Sequence, residues 1–285
     1  MLVTAQELFK KAKKGGYAIG AFNTSSLEIT KAIITAAEKA KSPLIIETSE
    51  GEMNALTPAV AVAEIATLAK KAKVPIVLHL DHGKSLESVK TAVEAGYTSV
   101  HLDGSSLPYD ENVKVTKVAA KLAHLHKITI EGEVGHIAGS SESHNHKIEI
   151  SKEDLTEPAE AQKFVKATGV DVLAVSIGNI HGVYSNPPQL DFKRLEEIAK
   201  KAKIYFSLHG GSGIPKNQIK KAIALGIVKV NVNTEIRMAF HKGILHEFEV
   251  NPNEVVPYKY LPAGGEAVEK VVAEKIRLFG SAGKA

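Results

Sequence analysis

Eight short runs rich in β-branched and apolar residues recur along the chain, each followed by a longer stretch of helical periodicity. The runs are YAIGAFN (17–23), PLIIETS (43–49), PIVLHLDH (75–82), SVHLDGS (99–105), ITIEGEVG (128–135), DVLAVSIG (171–178), IYFSLHGG (204–211) and VKVNVNT (228–234). Helical stretches follow at Leu27–Lys41, Pro58–Lys73, Lys84–Ala95, Asn112–His126, Pro158–Thr168, Phe192–Ala202, Pro215–Leu225 and Glu235–Phe248. Turn signals such as AKSP, AKVP and EAGY close several of the helices. Strands that are apolar on both faces need cover on both faces, which a parallel sheet sheathed by helices provides. An open doubly wound sheet meets that need as well. With eight βα units, no Pro/Ser-rich linker and 285 residues, the pattern predicts one α/β domain over 1–285, a (β/α)8 TIM barrel.

Two segments depart from the alternation. Residues 136–155, HIAGSSESHNHKIEISKEDL, form a long polar connection after the fifth strand, of the kind that serves as an active-site loop. From Ala263 onward an additional C-terminal helix is expected, packed on the barrel or on a second subunit. The N-terminal MLVTAQELFKKAKK lacks a secretory apolar region and reads as leading straight into the first strand.

Composition removes several chemistries. The chain has no cysteine, so any metal must be held by His, Asp or Glu. The net charge of +4 comes from lysines interleaved with acids, as in EEIAKKAK, without an aromatic stacking run, so no nucleic-acid partner is expected. No apolar run approaches the roughly 18 residues that span a bilayer. No membrane association and a cytoplasmic location are therefore expected.

Barrel enzymes build their sites at the C-terminal ends of the strands. Here those ends bring Asn23, Ser49, Asp81–His82, Asp103, Glu133, GNIHG with His181, HGGSG with His209, and NVNT. His82, His181 and His209 come from three strand ends and can converge on one metal ion, leaving a coordination position open for substrate oxygen. His79 and His101 lie within strands and are read as satisfied interior groups. His136, His144 and His146 lie in the long loop. Asp81 is either a proton-transfer carboxylate or a group that orients a ligand. Glu133 pairs with a lysine, supports a ligand, or ligates metal itself. Gly210, Gly211 and Ser212 form a turn ahead of a helix, where backbone N–H groups can cradle phosphate. Gly182, Asn231 and Thr234 stand near the same place.

Taken together, AFN, LHLDH, DGS, EGEVG, GNIHGVY, HGGSG and NVNTEIRMAF resemble the class II, metal-dependent ketose-bisphosphate aldolases, in order and along the whole chain. The resemblance implies zinc held by His82, His181 and His209, with Glu133 ligating metal in an alternative buried position. Co²⁺ or Fe²⁺ would suit the same ligands, and a monovalent cation activator follows by analogy. It implies that Asp81 exchanges the proton of the C4 hydroxyl. Gly182, Gly210, Ser212, Asn231 and Thr234 would hold the dihydroxyacetone phosphate end, with Gly211 and Asn233 among the substrate and phosphate contacts, and Arg237, one of three arginines, matches an arginine that pairs with the distal phosphate in some members. Asn23 and Ser49 would line the cavity.

The implied reaction is reversible cleavage of fructose 1,6-bisphosphate to dihydroxyacetone phosphate and glyceraldehyde 3-phosphate in glycolysis and gluconeogenesis. Tagatose 1,6-bisphosphate or another ketose phosphate is the alternative, and a homodimer or homotetramer is expected. Two positions depart from the family pattern. Ser140 and Ser141 stand where a loop glutamate is often found, which leaves Glu142 as the candidate for exchanging the C1 proton. Ser185 stands where many members carry lysine. A sugar-phosphate-binding barrel without turnover and a metal-dependent hydrolase are the rival readings.

Overall fold

A computed structural model describes residues 1–144, 150–184 and 189–285; His146 and Ser185 lie outside the described residues. The strands are β1 (Ile19–Asn23), β2 (Leu44–Ser49), β3 (Ile76–Gly83), β4 (Ser99–Leu102), β5 (Thr129–Val134), β6 (Gly139–His144), β7 (Val172–Val175), β8 (His181–Tyr184), β9 (Tyr205–Leu208) and β10 (Ile227–Val232). Eight of them close a parallel barrel in the order β1-β10-β9-β7-β5-β4-β3-β2, and these are the eight runs read in the sequence. The remaining two, β6 and β8, pair with each other in parallel above the barrel. The segment expected as a plain loop after the fifth strand thus carries a strand, and His181 opens another.

The helices are α1 (Gln6–Gly15), α2 (Leu27–Ala40), α3 (Glu50–Leu56), α4 (Pro58–Lys71), α5 (Leu86–Ala95), α6 (Tyr109–Leu125), α7 (Pro158–Thr168), α8 (Phe192–Ala202), α9 (Lys216–Ala224), α10 (Thr234–Val250) and α11 (Pro257–Phe279). The last begins before Ala263, with Pro262 inside its first turns, and packs against α2 and α10. No helix among the described residues is long and apolar enough to cross a membrane. The sequence reading did not include α1. Its Leu8, Phe9 and Ala12 pack with Ile19, Ala21, Ile45, Val77, Val172 and Val228, an apolar cluster separate from the sheath between strands and helices. The N-terminal segment therefore closes the end of the barrel opposite the strands' C-termini.

Above that apolar floor the barrel interior turns polar. Lys229 on β10 is buried, with its ammonium 2.8 Å from Glu47 on β2, 2.8 Å from Glu131 on β5 and 3.2 Å from His79 Nε2 on β3. His79 is also held through Nδ1, 2.7 Å from Ser99 Oγ, in line with its reading as a satisfied interior group. Burial pushes the Glu47 carboxyl up to about 8, with Lys229 acting against that. For Lys229 burial works the other way, and the two glutamates outweigh it to hold the ammonium protonated. A buried cation with two carboxylates is costly to break from one side, because the surviving charges have no water to turn to. Lys229→Met is expected to destabilise the fold by about 3–5 kcal/mol, read as a lower midpoint in denaturant unfolding. An unchanged midpoint would show that this layer does not hold the barrel together.

Candidate active site

Consecutive residues on a regular strand face opposite ways, yet Asp81 and His82 both line one cavity at the C-terminal mouth. The register between β3 and β4 shows how this comes about. Leu80 pairs with Val100 and Gly83 with Leu102, so two residues on β3 oppose the single His101 on β4. Such a bulge re-aims a side chain, and His82 takes the left-handed conformation at φ +48° to do so. Its backbone N–H donates to His101 Nδ1 at 3.3 Å. The glycine that follows is needed because β4 comes so close: a Cβ on Gly83 would lie 2.7 Å from the His101 carbonyl oxygen.

The three predicted imidazoles meet. His82 Nε2 lies 3.1 Å from His181 Nε2 and 2.9 Å from His209 Nδ1, with His82 at the apex and the His181 and His209 rings 6.3 Å apart. Each ring is held from behind by a group that can only accept. His82 Nδ1 is 2.7 Å from Asp103 Oδ2, His209 Nε2 is 2.7 Å from Glu131 Oε1, and His181 Nδ1 is 3.2 Å from the Ile137 carbonyl. A neutral imidazole has one N–H, and these partners draw it to the outer nitrogen. Three lone pairs are left aimed at one another, an arrangement that is stable only around a positive charge.

The charges around the three rings favour the same arrangement. Burial alone would lower His82, but Asp81, Asp103 and Glu133 outweigh it and push the imidazole up to about 10. Burial and the neighbouring His82 pull His181 down to about 3. With protons alone, the centre keeps one positive charge, on the apical ring. A divalent cation fits the same place, and the described residues offer two tight sets of ligand atoms there: Asp81, His82, His101 and His209, and His82, Asp103 and Glu133.

His101 differs from its expected role as a satisfied interior group. It is fully buried, but its Nε2 has no hydrogen-bond partner among the described residues, nor has Glu133 Oε2 at 3.7 Å from it. Burial and the neighbouring Asp103 hold the Glu133 carboxyl well above the ordinary carboxylate range.

Asp81 is 5% exposed and is gripped from two sides. Asn23 Nδ2 donates to Oδ2 and Asn231 Nδ2 to Oδ1, both at 3.1 Å. Burial works against its ionisation, but His82, His209 and Lys229 hold its pKa well below the usual range. Asn23, Asn231 and Asn233 each keep a buried side-chain carbonyl without a hydrogen-bond partner among the described residues. For Asn23 and Asn231 the amide orientation is fixed, since their nitrogens face carboxylates. Carbonyl acceptors at the wall of a cavity suit a ligand that brings hydroxyl donors.

The cavity, about 360 Å³, is lined by Asn23, Ser49, Gly182, Gly210, Ser212, Asn231, Asn233, Thr234 and Arg237 together with Asp81 and the three histidines. Gly210 has φ +63°, and a Cβ there would stand 2.1 Å from the Ile180 carbonyl oxygen, so the turn after β9 is closed to any side chain. Thr234 opens α10, and the next N–H, of Glu235, donates to Ser212 Oγ at 3.2 Å, which ties the helix start to the turn after β9. Gly211 supports this turn from outside the lining: its N–H donates to the Asn231 carbonyl at 2.9 Å. Glu133 is buried beneath the cavity. Glu142 is exposed on β6 and outside the lining, while Ser140 and Ser141 line it.

Sequence reading gave no role to Glu131 or Glu52, none to His101 beyond that of a satisfied interior group, and none to Asp103 beyond its place at a strand end. Only Glu52 left a local signal, the Ser-x-x-Glu pattern of a helix start at Ser49.

A TIM barrel with convergent imidazoles, a gripped carboxylate and a tight glycine turn at one mouth has the form of a metal-dependent enzyme. The family model for fructose-bisphosphate aldolase class-II matches residues 3–284. A probable fructose-bisphosphate aldolase of Bacillus subtilis (strain 168) is 41% identical over 289 aligned positions, covering 100% of this chain and 99% of the relative. A 6-phospho-5-dehydro-2-deoxy-D-gluconate aldolase of the same organism is 42% identical, covering 99% and 97%. Among solved structures, the X-ray structure of the YdjI aldolase from Escherichia coli K12 superposes with a TM-score of 0.87 at 35% identity, covering both chains fully. The chain belongs to the class II fructose-bisphosphate aldolase family; it is an aldolase, a lyase of the metal-dependent class.

Asp103 accepts from His82 and so fixes the ring that stands at the apex. Asp103→Asn is expected to weaken metal affinity by about 10–100-fold, measured by competition with a chelator. Unaltered affinity would mean that Asp103 does not orient His82.

Proposed function

We propose that this chain cleaves fructose 1,6-bisphosphate reversibly to dihydroxyacetone phosphate and glyceraldehyde 3-phosphate, with zinc held by His82, His181 and His209. The observation that carries the reading is the convergence of three imidazole lone pairs beside a carboxylate gripped by two amides. When bound, the ion supplies Lewis-acid polarisation of the ketone carbonyl, which lets that carbonyl take up charge as the C3–C4 bond breaks. Co²⁺ or Fe²⁺ would suit the same nitrogens.

Asp81 takes the proton from the C4 hydroxyl during cleavage and returns it during condensation. Each of its oxygens accepts one amide hydrogen, so lone pairs remain for the substrate hydroxyl. The two asparagines fix its orientation and keep it from swinging onto the imidazoles. Gly182, Gly210, Ser212 and Thr234, which line the mouth together, bind one phosphate. The unpartnered carbonyls of Asn23, Asn231 and Asn233 accept from the sugar hydroxyls. Glu142, on the segment that overhangs the mouth, is the candidate for C1 proton exchange. The name of the second Bacillus relative favours another ketose phosphate as a second reading. A homodimer or homotetramer in the cytoplasm, without nucleic-acid or membrane partners, completes the proposal.

Cleavage of fructose 1,6-bisphosphate, followed in a coupled assay, is expected to be abolished by EDTA and restored by zinc. Release of inorganic phosphate instead would identify a hydrolase. Asp81→Ala is expected to retain zinc at wild-type stoichiometry and to lose about 10³-fold or more in kcat. Near-full turnover would remove Asp81 from this role.

A further inference from the structure

Glu52, on the first turn of α3, divides its two carboxylate oxygens between two tasks. Oε2 closes the helix start, accepting from Ser49 N at 2.8 Å while Ser49 Oγ accepts from Glu52 N at 3.3 Å. The same oxygen takes Asn23 Nδ2 at 3.0 Å, the amide that also holds Asp81. A capping box accounts for this half. It does not account for Oε1, which accepts from Arg237 Nη2 at 2.7 Å and from Asn233 Nδ2 at 3.5 Å.

Glu52 is only 7% exposed and lies behind the cavity wall, whereas Arg237 is on that wall. The guanidinium meant for an anion therefore already carries a carboxylate on its inner edge. Its Nη1 reaches the Ser141 carbonyl at 3.5 Å. The neighbouring side-chain oxygens of Asn23 and Asn233 are buried acceptors without partners among the described residues. Acceptors and a neutralised arginine repel a dianion, or leave it indifferent, and welcome hydroxyl groups. This wall is built from β1, α3 and the first turn of α10.

We infer that Glu52 is a specificity-determining residue which makes the Arg237 end of the cavity electroneutral, so that the enzyme accepts ketose 1-phosphates with an uncharged far end alongside bisphosphates. This rests on the reading that a ketose phosphate binds through the glycine turn. Lys84, the other lysine or arginine lining the cavity among the described residues, is exposed and remains available to either sugar. Glu52 bears on the distal phosphate through Arg237; its second link, through Asn23 to Asp81, touches the chemistry of both sugars alike and so drops out of the ratio.

The test compares kcat and KM for fructose 1,6-bisphosphate and fructose 1-phosphate with zinc-loaded enzyme. Glu52→Gln keeps the capping box, since Gln serves at that position, but removes the charge. In the wild type the two kcat/KM values are expected within about tenfold of each other, and Glu52→Gln raises the bisphosphate preference about tenfold through KM. The double variant Arg237→Leu/Glu52→Gln, uncharged as the wild-type pair is in sum, keeps the wild-type ratio within about tenfold.

An unchanged or falling preference in Glu52→Gln overturns the inference, as does a loss of about a hundredfold or more for the bisphosphate in the double variant. Dissociation constants for the two sugars, measured by calorimetry, read the same ratio whether or not either is cleaved. Cleavage of neither sugar would overturn the proposed reaction, and the binding ratio alone would then decide the role of Glu52.

Discussion

The centre depends on a departure from strand geometry. The carboxylate proposed for proton transfer and an imidazole proposed to ligate metal are adjacent in the chain, and an unbroken strand would send one into the cavity and the other into the helical sheath. One extra residue on β3 prevents this. The cost is a left-handed histidine, a conformation that L side chains adopt reluctantly, and it is met by a buried imidazole on β4 that accepts from the histidine's own N–H. His101 therefore does for the backbone what Asp103 does for the ring. The two act from the same strand and its end, so that displacement of β4 would disturb both together.

Beneath the bulge the barrel is polar where barrels of similar size are commonly filled with Val, Ile and Leu. Lys229 ties β10 to β2 and β5, and Glu131 passes that tie on to His209, while Glu47 reaches Asp81 through the Asn231 amide. The interior charges thus serve as the supports of the groups above them. A solely hydrophobic interior would pack as well, but it would leave His209 Nε2 without an acceptor and free to change tautomer.

Much of this was legible in the chain. Strands declare themselves by local apolar runs, and residues at their ends inherit a common location from the barrel; that is why His82, His181, His209 and Asp81 could be placed together. What escaped is of two kinds. α1 and the β6–β8 pair carry weak local signals: the apolar face of α1 is three residues among lysines, and GSSESH has no alternation to read. The supporting groups escaped for another reason. Glu52 and Arg237 are 185 positions apart, Lys229 and Glu131 98 apart, and nothing local in either partner says that the other will be there. His101 was misjudged because an interior position on a strand was taken to imply a satisfied ring, which a bulge on the neighbouring strand undoes.

The helix at the N-terminus makes the barrel a cup and not a pipe. Whatever enters by the mouth must leave by it, and the layer of buried charge has apolar residues below and the ligand above as its only lid. Filling the mouth therefore changes the dielectric over the whole column, from His82 down to Lys229. A sugar phosphate that seats itself there strengthens, by excluding water, the same charges that hold the groups it has come to meet.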